Sequence, residues 1–168
     1  PQACRILDPF GGTGTTPITV TQMGRQALYS EVNPLLQLLI EVKTLVYSLK
    51  PELRNHLREK LLHISDTWLQ LLQSATADIE LNKVFPVVFG NSKFFTDETY
   101  EMVLRARSVI DTLALDEPLA TKVVMIAVLA SLLPSSELVR SGDIRYRTAK
   151  EQAKKVSFGN EVVRRLRF

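Results

Sequence analysis

The residues best equipped for chemistry lie in one short stretch, Asp8-Pro9-Phe10-Gly11-Gly12-Thr13-Gly14-Thr15-Thr16. Clustered glycines let the backbone take positive φ and let a ligand lie close against it, and the free amides at a following helix start can receive a polar group. A glycine loop alone is a weak signal. It is sharpened by Glu31, 23 positions after Asp8, because an acid at the end of a second strand can accept hydrogen bonds from both ribose hydroxyls of a nucleoside cofactor. A phosphate suits the loop poorly. Thr15 and Thr16 stand where Gly-Lys-Ser/Thr would be needed, and no basic residue lies between Asp8 and Arg25. Asp8 would repel a pyrophosphate and attract an ammonium group, so the stretch suits an amino-acid tail.

The elements that must hold these residues are legible around them. Arg5 to Phe10 is a short apolar strand running into the glycines, Gly14 to Met23 has the length of a three-turn helix closed by Gly24, and Ala27 to Val32 is a second strand. Strand, loop, helix and strand make half of a dinucleotide-type fold. Asn33 is a good N-cap with Pro34 at the first helical position, so Leu35 to Leu49 reads as a buried helix. Pro51 opens another, with Leu53, Leu57, Leu61, Ile64, Trp68 and Leu71 on one face and Arg54, Arg58, Glu59 and Lys60 toward solvent. His56 and His63 lie seven apart on it, not at the four-residue step of a metal pair, and read as surface or satisfied histidines. Val84 to Phe89 is β-branched but holds Pro86, which predicts an edge strand or an extended linker. Asp97 to Leu113 and Leu119 to Leu133 read as helices, the second ended by Pro134; Ser135 to Asp143 reads as a loop, and Lys150 to Val156 as a further helix. The expected count is two strands, both near the start, and about five helices.

At 168 residues and 45% hydrophobic, the chain is long enough for one domain with a core. The apolar run from Val123 to Leu133 is too short to span a bilayer, so no membrane association and no signal peptide are expected. A single cysteine, Cys4, forms no intramolecular disulfide and reads as a buried thiol, in keeping with a reducing, cytoplasmic setting. From Val139 onward nine basic residues face three acidic ones, giving +6 there against -3 for the rest. Such asymmetry suits a nucleic-acid contact, with Arg145, Arg147, Lys150, Lys154 and Lys155 as the candidate residues, although a solvated helix face gives the same pattern.

DPFGGTGTT followed by SEVNP resembles the cofactor motifs of the amino-group DNA methyltransferases, which modify adenine N6 or cytosine N4. The resemblance is specific over Arg5 to Pro34, with Pro17 as a departure that a first helical turn tolerates. It implies an α/β fold, the N-terminal part of a Rossmann-like S-adenosylmethionine-dependent methyltransferase followed by a largely helical region. It also implies S-adenosylmethionine as cofactor and DNA as partner. By the same resemblance Asp8, Pro9, Phe10, Gly11, Gly12, Thr13, Gly14 and Thr15 form the loop around the methionine part, Glu31 holds the ribose, and Val32 and Asn33 lie beside the adenine.

The family's catalytic motif, Asp/Asn/Ser-Pro-Pro followed by an aromatic, holds the amino group of a flipped base. This chain has eight prolines and no two are adjacent, so no catalytic residue is assigned. Two strands also leave a parallel sheet incomplete. The expectation is therefore a fragment or subunit, inactive alone, oligomeric or paired with the remaining catalytic part as a downstream segment or separate polypeptide. Three segments follow: 1–34 cofactor-binding, 35–138 helical and packed on it, 139–168 basic. The alternatives are an RNA guanine-N2 methyltransferase fragment, whose first motif is similar, a decayed protein that binds the cofactor without chemistry, and a non-catalytic helical interaction module.

Overall fold

The computed structural model describes residues Arg5 to Arg167; Cys4, read above as a buried thiol, lies outside them. The chain is a mixed α/β protein, mostly helical, with two small two-stranded sheets. It divides into two compact units, Pro1–Glu59 and Lys60–Phe168. This grouping differs from three segments drawn at 34 and 138, because composition marks where the chain changes character while contacts mark what packs together.

In the first unit β1 (Arg5–Asp8), α1 (Thr15–Gln22) and β2 (Gln26–Tyr29) form a β-α-β unit, with the strands parallel and Asp8 opposite Tyr29. A parallel pair needs a crossover, and the glycine loop with α1 supplies it. Pro17 is buried in the first turn of α1, where its missing N–H costs nothing. After Ser30 the chain enters α2 (Pro34–Ser48), whose start is fixed as expected: Asn33 Oδ1 accepts from the Leu35 amide at 2.9 Å, with Pro34 next to it. Val20, Ile40 and Val42 form the small core. The other face of the sheet is open. Leu7 and Leu28 are register partners and are 65% and 54% exposed, so the apolar pair lies on a face that no described residue covers.

The boundary between the units falls inside α3 (Pro51–Ser74). His56 and His63 are both exposed on it, while Ile64, Trp68 and Leu72 are buried. The second unit continues with α4 (Ile79–Phe89), α5 (Asp97–Asp116) and α6 (Pro118–Ser135). The antiparallel pair β3 (Leu138–Ser141) and β4 (Asp143–Tyr146) follows, then the short α7 (Ala149–Gln152) and α8 (Phe158–Leu166). The core gathers Trp68, Phe158, Val124 and Val162, all fully buried. Phe158, Val162 and Leu166 recur every four residues and so face α5 and α6 together. Gly159 lets α8 approach α3, since a Cβ there would meet Leu69 Cδ2 at 2.7 Å. Ser131 and Ser135 can sit in this core because their hydroxyls donate to the Ala127 and Ser131 carbonyls, each at 2.7 Å.

Several elements differ from the expectation. Val84 to Phe89 is helix, not strand: Asp78 caps α4 by accepting from the Leu81 amide at 2.6 Å, and the turn so started runs through Pro86 to Gly90. Local capping outweighs β-branched propensity there. Ser135 to Asp143 is not a loop throughout, because Gly142 at φ 79 turns β3 into β4. The strands number four among the described residues, two of them far from the start, and the helices eight. α6 continues through Pro134 to Ser135, giving 18 residues of mean hydropathy 1.7, long and apolar enough to cross a membrane by length and composition. It nevertheless packs on α5 and α8 with Val124 and Ala127 buried.

Candidate functional site

The glycine loop is built by hydrogen bonds that its residue types require. Asp8 Oδ1 accepts from the Phe10 amide at 3.1 Å, the Asx-type turn its short side chain favours, and the Ser30 amide donates back to the Asp8 carbonyl at 3.0 Å. The Gly11 amide donates to the Ser30 carbonyl at 2.9 Å, which ties the loop to the end of β2. Gly12 and Gly14 have φ 52 and 88. At Gly14 the requirement is double, since a Cβ would also meet Ile40 Cγ1 of α2 at 2.8 Å.

Glu31 faces this loop as expected, and with both oxygens occupied. Oε2 accepts from the Gly12 amide and Oε1 from the Asn33 amide, each at 2.8 Å, so the carboxylate bridges the loop and the start of α2. The Asn33 amide, and after it the Gly12 and Val32 amides, hold its carboxyl below the ordinary carboxylate range against the opposing effect of desolvation. A carboxylate has about four acceptor positions, so these amides do not exhaust it. Asp8 is half-buried, Pro9, Thr13 and Thr15 are exposed, and Phe10 and Val32 are 87% and 92% exposed.

Two residues join the site that sequence reasoning missed. Gln37 Nε2 donates to the Glu31 carbonyl, and Lys43 Nζ donates to the Thr13 carbonyl at 3.1 Å. Both come from α2. The signal was present in the helical period: Lys43 lies three positions after Ile40, the side chain that packs on the loop glycines. The absence of a basic residue between Asp8 and Arg25 therefore does not mean an absence of positive charge at the loop.

The candidate nucleic-acid residues lie in one segment, and three of the five are engaged with acids and backbone carbonyls of that segment. Arg145 forms a two-pronged pair with Glu151, both bonds 2.9 Å, which with the Thr148 cap holds the Glu151 carboxyl down to about 2. Arg147 donates to the Ser136 and Pro134 carbonyls, each at 3.0 Å, and Lys155 pairs with Glu137. Lys150 and Lys154 are exposed, and no ion pair involves them among the described residues. No group of His, Cys, Asp and Glu that could hold a metal occurs among the described residues. No protein-family model, curated protein or solved structure matches the chain.

Proposed function

We propose that this chain is the S-adenosylmethionine-binding portion of a Rossmann-like DNA methyltransferase that modifies an exocyclic amino group of adenine or cytosine. One observation carries it: the Glu31 carboxylate meets the Gly12 amide across the loop at 2.8 Å, so the two motif stretches converge on one place. The residues fit such a group. The remaining acceptor positions on Glu31 take the ribose hydroxyls, Asp8 takes the ammonium, and exposed Phe10, Val32 and Asn33 offer a surface to the adenine and the methionine chain. Bound there, the cofactor supplies an electrophilic methyl group on its sulfonium. What this chain does is hold and orient it.

The second half of the reaction needs an unstacked base presented within bonding distance, and no Pro-Pro-aromatic strand end exists in this sequence. The chain therefore transfers no methyl group alone, and the uncovered Leu7 and Leu28 face is where further sheet or helix would lie. A cytoplasmic location accords with a single cysteine. Calorimetric titration with S-adenosylmethionine tests the assignment, and Glu31→Ala should weaken binding by about 1.5–3 kcal/mol for each ribose bond removed. A protein that binds no cofactor, or a variant that binds as tightly, overturns it.

A second reading, a helical interaction module, draws on an apolar cavity of about 500 Å³ in the second unit, lined by Phe85, Phe89, Phe94 and Phe95 among others. Its outer wall, α4, has no buried residue and exposes Val87 and Val88. Binding to other proteins with no cofactor binding would favour it.

A further inference from the structure

We infer that Lys43 is the carboxylate anchor of the cofactor site, making the site selective for an intact, zwitterionic amino-acid tail. This rests on the assignment of S-adenosylmethionine to the loop. The amides that a glycine loop ordinarily offers to an anion are already spent: Gly11 N–H on the Ser30 carbonyl, Gly12 N–H on Glu31, and Gly14 N–H on the Gly11 carbonyl at 2.8 Å. The loop's remaining amides, at Thr13 and the start of α1, carry no formal charge, so a ligand carboxylate there must find its countercharge on a side chain. Among the described residues, Lys43 is the basic side chain that hydrogen-bonds to the loop, 3.1 Å from the Thr13 carbonyl. An ammonium has three donors, and Thr13 uses one. The stem is positioned by packing: Ile40, one turn earlier on α2, lies against Gly11 and Gly14, so Lys43 is directed to the loop's far shoulder. Asp8, with one oxygen on the Phe10 amide, marks the other end of the loop. An acid and a base flanking one glycine loop match the ammonium and the carboxylate of a methionyl tail. A nucleotide phosphate, facing Asp8 and lacking free glycine amides, matches it poorly.

Paired ligands separate this role from a structural one. Wild type, Lys43→Met, which keeps the stem and removes the charge, and Lys43→Arg are each titrated calorimetrically with S-adenosylmethionine and with its decarboxylated form. Lys43→Met should weaken S-adenosylmethionine binding by about tenfold, the size of one partly exposed charge-assisted bond. It should leave the decarboxylated ligand's affinity unchanged, and Lys43→Arg should restore most of the difference. Equal losses for both ligands, or none for either, overturn the inference and leave the parent assignment standing, Lys43 then being a strut for Thr13. If wild type binds neither ligand the parent assignment falls and the anchor falls with it. Unchanged circular dichroism and melting of Lys43→Met exclude misfolding as the cause.

Discussion

The two units solve the problem of burial differently. The second encloses a core: α3, α5, α6 and α8 share it with Trp68 and Phe158 fully buried, α4 stays outside it, and many of the surface charges are matched in pairs. The first leaves its two-stranded sheet bare on one side, with Leu7 and Leu28 in solvent, and keeps its order near the loop through backbone bonds and the Glu31 bridge. The candidate cofactor site thus lies in the unit with the smaller core. A site of this kind depends on a few hydrogen bonds and glycine conformations more than on hydrophobic mass, and substitutions in the two units should differ accordingly.

The sharpest contrast is between Trp68 and Leu28. Trp68→Ala empties a fully buried position and should cost about 3–5 kcal/mol in urea unfolding. Leu28→Ser, on an exposed strand position, should stay within about 0.5 kcal/mol of wild type. A large loss at Leu28 would mean that its face is covered in solution, by another copy or another segment, and the comparison would break.

A smaller effect belongs to Gly14. At φ 88, and with Ile40 Cγ1 2.8 Å from any added Cβ, Gly14→Ala must strain the loop or push α2 away. A cost of about 1–3 kcal/mol is expected, confined to the first unit. Amide exchange should speed at Gly12 and Asn33 while the amides of α8 keep their protection. Uniform loss across both units would show that they unfold together.

How much of this was legible follows from where the determinants lie along the chain. The β-α-β unit, the Asn33 cap and the Glu31 placement were readable because each depends on residues a few positions apart whose types permit little else. α4 was not, since Val84, Val87 and Val88 favour a strand in isolation and the helix is set by the Asp78 cap outside that run. The β3–β4 pair was hidden because its turn rests on one glycine, and its strand residues Arg140, Arg145 and Tyr146 read as surface composition. α8 was hidden in a basic run whose buried face, Phe158, Val162 and Leu166, emerges only when charge is set aside and period is followed. Lys43 escaped for the reason most sites do: it meets Thr13 across thirty residues.

The charge pairs of the second unit should titrate unlike an open surface. Glu151, held down to about 2 chiefly by Arg145, is a depressed carboxyl. Its contribution to stability is therefore complete above the ordinary value of 4.5 and is lost as pH falls toward about 2. Carboxyl chemical shifts followed by NMR should give that low midpoint, and Arg145→Gln should raise it toward the ordinary range, the Thr148 bonds still holding it below. A wild-type midpoint near the ordinary value would mean that the pair is not formed in solution and that Arg145 is free to meet other groups.

The smallest effect concerns DNA, and it divides the basic segment in two. Arg145, Arg147 and Lys155 spend their charge on Glu151, on backbone carbonyls and on Glu137, so meeting a phosphate would require giving up or sharing those partners. Lys150 and Lys154 are exposed and unpaired among the described residues, so a phosphate bound there releases counterions without breaking anything in the protein. If the segment meets DNA, neutralising Lys150 and Lys154 should lower the slope of log K against log salt by about 0.9 for each phosphate no longer neutralised, with no change in melting temperature. Arg145→Gln should instead act through stability, because it frees Glu151 and loosens the link between β4 and α7. Fluorescence anisotropy with a duplex at several salt concentrations measures the slopes. An unchanged slope in the double lysine variant returns the basic segment to the role its ion pairs already give it, which is holding β3, β4 and α7 together.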